Sequence, residues 1–182
     1  MLKQYKPALL FLGKFLGVYF VLNIAYGFWY ETFSPLADPI TYFVTSQTIW
    51  VLDFFYTGLS FDYYPYEPLV WMSLGNQFIL NAFEGCNGIN VMILFLAFIV
   101  AYKGPLVPTL MYMVGGIIVI HLANIFRIAV LFIVAERYHA YLYFTHKYLF
   151  TGIIYTVVFL IWYVWVKRAN AYNKELLAKK NA

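Results

Sequence analysis

Along this chain, uncharged apolar stretches alternate with short polar or basic segments. Four stretches approach the length of about 20 apolar residues needed to cross a bilayer. They cover residues 8–30, 86–102, 107–135 and 148–166. Lys14 interrupts the first, where its long stem can carry the charge toward the headgroups. That stretch is too long for a secretory signal peptide, and Trp29-Tyr30-Glu31-Thr32 is a poor cleavage site, so a retained anchor is expected. The third stretch carries a single charge, Arg127.

Between the first two stretches, Thr41 to Tyr56 mixes Phe43, Val44, Trp50, Val51, Phe54 and Phe55 with Thr41, Thr45, Thr48 and Asp53. The mixture predicts an amphipathic helix lying in the membrane interface rather than a fifth crossing. Gly58 is expected to end that helix, and Pro65 and Pro68 punctuate the loop beyond it. Val70 to Phe83 alternates loosely around Gly75-Asn76, which predicts a short hairpin. The expected fold class is an all-α membrane protein of about four transmembrane helices, with an outward-facing amphipathic helix and a small hairpin cap. It forms a single domain over residues 1–182, with 1–6 and 167–182 as cytoplasmic ends.

Composition agrees with a membrane setting. The chain is 64% hydrophobic, 23% aromatic and 11% charged, where soluble domains carry about 25% charged residues. The net charge of +4 does not point to nucleic acid, because the basic residues gather at helix ends rather than along one stripe. Lys3, Lys6, Lys14, Lys103, Lys167, Arg168, Lys174, Lys179 and Lys180 all fall on one side if four crossings alternate. The excess of Lys and Arg marks that side as cytoplasmic. Segments 31–85 and 136–147 then face outward, with Cys86 at the outer surface.

Cys86 is the only cysteine, so it forms no internal disulfide. In Glu84-Gly85-Cys86-Asn87-Gly88 it opens an apolar run, where the positive end of a helix dipole is expected to favour its thiolate. The competing reading is a small apolar filler. Arg127 within a long apolar helix costs at least ~2.5 kcal/mol near the bilayer centre unless it is paired or can snorkel. Asn124 and His121, spaced by three, continue a polar strip on its face. The bland alternative is an arginine that pins helices or lipid phosphates. His146 stands where the last apolar stretch meets water and could exchange a proton with a thiol. His139 is its rival for that role. A thiol nucleophile, an imidazole base and a guanidinium on one side of the membrane indicate acyl transfer.

In this order, these residues resemble the exosortase and archaeosortase family. The resemblance rests on Glu84-Gly85-Cys86-Asn87-Gly88, on Asn124-Ile125-Phe126-Arg127-Ile128 and on His146, and it covers roughly Thr41 to Val166. The short chain and Asn87 resemble the exosortase F branch of Bacteroidetes-type bacteria. Asn87 stands where many members have serine, so any hydroxyl role there is absent or taken over by an amide. The additional N-terminal helices of larger exosortases are not seen.

The resemblance implies a membrane cysteine protease or transpeptidase with Cys86, Arg127 and His146 as catalytic residues and Asn124, Glu84, Asn87 and Gly88 in support. It implies the bacterial inner membrane, with the site facing the periplasm. The implied partners are the lipid bilayer and exported proteins whose C-terminal sorting signal combines a short motif, a hydrophobic helix and a basic tail. Gly115 and Gly116 would let that helix approach closely, or else serve packing within the protein. No metal is expected, since one cysteine and three scattered histidines offer no ligand spacing. No cofactor is expected either, because a phosphate-binding glycine loop is lacking. The rival classes are a transporter or channel subunit with Arg127, Asn124 and His121 lining a pathway, and a structural subunit of an envelope-assembly complex.

Overall fold

A computed structural model describes residues 2–181. Met1 and Ala182 lie outside the described residues, as do the side chains of Lys3, Lys179 and Lys180, on which part of the expected orientation rests.

The elements run in the order α1 (Leu2–Glu31), α2 (Pro39–Leu52), β1 (Leu59–Tyr63), β2 (Val70–Leu74), β3 (Gln77–Ala82), a 3₁₀ turn (Glu84–Cys86), α3 (Ile89–Ala101) and α4 (Leu106–Arg137). A 3₁₀ turn (His139–Tyr141), the one-turn α5 (Leu142–Phe144), a π-helical turn (Thr145–Leu149) and α6 (Phe150–Asn181) complete the chain.

Among the described residues, three segments are long and apolar enough to cross a membrane: Tyr5–Glu31, Leu106–Arg137 and His139–Lys174. The expected crossing at 86–102 is the exception. Its helix α3 has 13 residues, about 20 Å at 1.5 Å per residue, short of a hydrocarbon core of about 30 Å. The loss falls at both ends. Cys86 belongs to the 3₁₀ turn, and Gly88 takes φ +85°. After Ala101, Pro105 disfavours helix at the residue before it.

The chain forms two compact units, one of Met1–Ala25, Asn90–Ile120 and Thr156–Ala182, the other of Tyr26–Ile89 and His121–Tyr155. In the first, Phe95 is fully buried, and a Cβ on Gly116 would run into its ring. Gly116 therefore serves packing inside the protein, whereas Gly115 faces open space. Phe98 stacks on Trp162 with ring centroids 4.3 Å apart.

In the second unit, α2, β2 and α4 share a core of Val44, Ile49, Leu52, Met72, Ile125, Ile128, Ala129 and Phe132. Asp38 caps α2 by accepting from the backbone N–H groups of Ile40 and Thr41, with Pro39 at the first helical position. The inward face of α2 mixes polar and apolar residues. Thr41, Thr45 and Thr48 are buried beside Val44, Ile49 and Leu52, while Phe43 and Trp50 are exposed. Thr45 and Thr48 satisfy their hydroxyls on the carbonyls of Thr41 and Val44, so burying them leaves no polar group unpaired.

The hairpin forms as expected, β2 to β3 through Gly75-Asn76, with Gly75 at φ +60°. It belongs to a three-stranded antiparallel sheet in the order β1-β2-β3. The all-α expectation is corrected to that extent. Gly58 does not end α2, which stops at Leu52; its carbonyl accepts from the N–H of Gly75 and closes the sheet.

Candidate functional site

The segment around Cys86 is held from several directions by polar side chains. Its N–H donates to the Phe83 carbonyl at 2.7 Å, forming the 3₁₀ turn. Its carbonyl accepts from Asn124 Nδ2 at 2.8 Å and from Arg127 Nη2 at 3.4 Å. Asn124 and Arg127 lie one turn apart on α4, so the polar strip read from the sequence converges on this backbone carbonyl. His121 does not join them. It meets Gln47 of α2 at 2.8 Å and stacks on Phe43.

Asn87 is 1% exposed and makes three hydrogen bonds. Its Oδ1 accepts from the Ile89 N–H at the start of α3. Its Nδ2 donates to the Tyr26 hydroxyl at 2.6 Å and to Thr41 Oγ1 at 3.1 Å. The Thr41 hydroxyl donates in turn to Asp38 Oδ2. A buried chain of polar groups thus ties the cysteine segment to the N-terminus of α2 and to α1. The amide at position 87 acts as a structural connector. Tyr26 and Thr41 are not legible as site residues, because their bonds to Asn87 join positions 61 and 46 residues apart, and Asp38 enters only through Thr41. Gly88 closes this junction. At φ +85° only glycine is comfortable, and a Cβ there would sit 3.1 Å from Asn124 Cγ.

Glu84 is half-buried and lines a small cavity of about 90 Å³ beside Asp38 and Tyr30. A larger cavity of about 390 Å³ receives Cys86, His139 and His146 together. Ala82, Phe83, Ile128, Leu131 and Leu142 make most of its wall apolar. Both histidines are exposed, His139 on the 3₁₀ turn after α4 and His146 on the π-helical turn before α6.

The thiol itself is 6% exposed. Burial pushes it above its ordinary value of 9.0, against a smaller downward pull from the Arg127 charge. The expectation of a thiolate favoured by a helix dipole is therefore corrected. Two residues, one of them the positive-φ Gly88, separate Cys86 from the first turn of α3, and desolvation disfavours the charged form. Arg127 is half-buried, and its Nε is buried with no hydrogen-bond partner. No cluster of three or more potential metal ligands occurs among the described residues.

Long apolar helices and a buried thiol sharing an apolar cavity with two imidazoles define a helical, multi-pass membrane protein with a candidate thiol site. The family model for transmembrane exosortases (Exosortase_EpsH) matches residues 7–170, and the chain belongs to that family. Comparison with curated proteins and with solved structures gave no match.

Proposed function

We propose that this exosortase is a membrane cysteine protease or transpeptidase that cleaves the C-terminal sorting signals of exported proteins through a thioester on Cys86. The observation that carries this reading is the shared cavity, which the single thiol of the chain lines together with His139 and His146. In the resting site the buried thiol keeps its proton. A histidine, His146 in our assignment, takes that proton as Sγ attacks the scissile carbonyl. The same imidazolium then protonates the leaving amine as the C–N bond breaks. Water, an amine or a hydroxyl resolves the thioester.

Arg127 and Asn124 keep the cysteine backbone in place through its carbonyl. The unpaired Arg127 Nε leaves donor capacity for the developing oxyanion or for substrate. Glu84, Asn87 and Gly88 support the turn. Within the family, Asn87 supports a place in the exosortase F branch. The inner membrane, with the site facing the periplasm, rests on the sequence reading that puts the excess of Lys and Arg on the cytoplasmic side.

The test co-expresses a substrate bearing a motif, a hydrophobic helix and a basic tail with wild type or Cys86→Ala. Wild type should remove the tail and form a hydroxylamine-sensitive adduct. Neither should occur with Cys86→Ala, and normal processing by that well-expressed variant would overturn the thiol mechanism.

A further inference from the structure

Charge divides unevenly between the two compact units. The segments 1–25, 90–120 and 156–182 contain nine of the twelve basic residues, and their only acidic side chain is Glu175. Within that unit lies a second cavity, of about 490 Å³. Three parts of the chain build its polar lining: Lys14 from α1, Lys103 from the turn after α3, and Asn170 and Asn173 from α6. Internal hydrogen bonds hold this lining in place. Asn173 Nδ2 donates to the Lys103 carbonyl at 3.1 Å, and the Tyr102 hydroxyl donates to Asn170 Oδ1 at 2.9 Å. The second bond leaves the Asn170 amide N–H groups as donors. Among the described residues, neither lysine ammonium meets a carboxylate. Leu10 and Phe11 supply an apolar wall, with the Phe11 ring edge-on to Tyr102.

We infer that this cavity binds the phosphate of an anionic membrane lipid. Two ammonium groups and an amide donor match a phosphodiester, and the apolar wall matches the start of its acyl chains. Lys14 is 17 residues from the end of α1 at Glu31, about 26 Å at 1.5 Å per residue, which is close to one hydrocarbon thickness. A charge at that depth reaches the headgroup layer when the other end of α1 lies at the opposite surface. A free phosphate ion shares the charge chemistry but makes no use of the apolar wall. This inference does not depend on the chemistry at Cys86.

The test uses the full-length protein in a neutral detergent, titrated with phosphatidylglycerol, with phosphatidylcholine or with inorganic phosphate. Native mass spectrometry and thermal unfolding provide the readouts. Phosphatidylglycerol should be retained preferentially and should raise the unfolding temperature. Phosphatidylcholine and inorganic phosphate should do neither. Lys14→Gln/Lys103→Gln should lower the affinity for phosphatidylglycerol by roughly tenfold or more. Lys14→Arg/Lys103→Arg should retain it, which separates loss of charge from loss of fold. Equal retention of the two lipids would overturn the inference. So would an undiminished preference in the glutamine variant, or an equal thermal shift with inorganic phosphate alone.

Discussion

Asn124 Nδ2 donates to the carbonyl of Cys86 at 2.8 Å, joining the middle of a long apolar helix to a turn 38 residues earlier. The bond places an amide where a buried carbonyl needs a donor and leaves the thiol free to face the cavity. Arg127 shares the same acceptor at 3.4 Å, so the two side chains form one clamp on the cysteine backbone.

Replacing Asn124 with Ala should remove the better of those two donors. A buried acceptor left poorly satisfied costs about 1–3 kcal/mol. Thermal unfolding in detergent should shift down accordingly, and processing of the tail-bearing substrate should fall. An unchanged unfolding temperature would mean that the Cys86 carbonyl finds another partner.

Gly88→Ala is expected to be costlier than its size implies. Its φ of +85° strains any residue with a Cβ, by about 1–2 kcal/mol. The new methyl would also press against Asn124 at 3.1 Å. Gly115→Ala provides the control, since nothing lies within 4 Å of its Cβ position. Comparable stability of the two variants would contradict the structure around Gly88.

The buried chain Asp38–Thr41–Asn87 should behave as one unit. Thr41→Val and Asn87→Ala each break their mutual 3.1 Å bond. The double variant should therefore be less destabilised than the sum of the singles, by about 0.5–3 kcal/mol. Strict additivity in a double-mutant cycle of unfolding free energies would dismiss the coupling.

The pH dependence of Cys86 derives from the upward shift of its thiol. In the free protein, alkylation by a small uncharged reagent should accelerate with pH, with a midpoint above 9.0. Because the thiol is harder to ionise when folded than when unfolded, its contribution to stability is complete below about 9. That contribution declines as pH rises through the folded value. Arg127→Gln removes a charge that pulls the thiol down, so the alkylation midpoint should move higher still. A midpoint near neutrality would contradict the burial of the thiol.

The two cavity histidines separate by substitution. If His146 is the general base, His146→Ala should slow processing by about 10²–10⁴-fold, while His139→Ala should leave most of the rate. The reverse result would transfer the role to His139 and keep the thiol mechanism.

Much of this protein is legible in the linear pattern. Apolar runs of bilayer length mark α1, α4 and α6, because no other arrangement satisfies so many backbone polar groups in lipid. Gly75-Asn76 between two alternating segments marks the hairpin. The alternation of Leu59, Phe61 and Tyr63 with Ser60 and Asp62 also carries the signal for β1, in a strand of five residues. Cys86, Asn124, Arg127, His139 and His146 stand out because polar groups beside or within apolar helices are costly unless used.

Tertiary structure decides the rest. Apolar composition does not show that Gly88 and the 3₁₀ turn shorten α3 to 13 residues. The inward threonines and outward aromatics of α2 depend on what packs against the helix. Tyr26 and Thr41 meet Asn87 only through bonds that span long stretches of chain, and Asp38 joins them through Thr41. The direction of the Cys86 shift is hidden from the sequence for the same reason. Helix position is a local property written in the chain, but desolvation depends on the atoms that folding brings around the thiol, and burial outweighs the Arg127 charge.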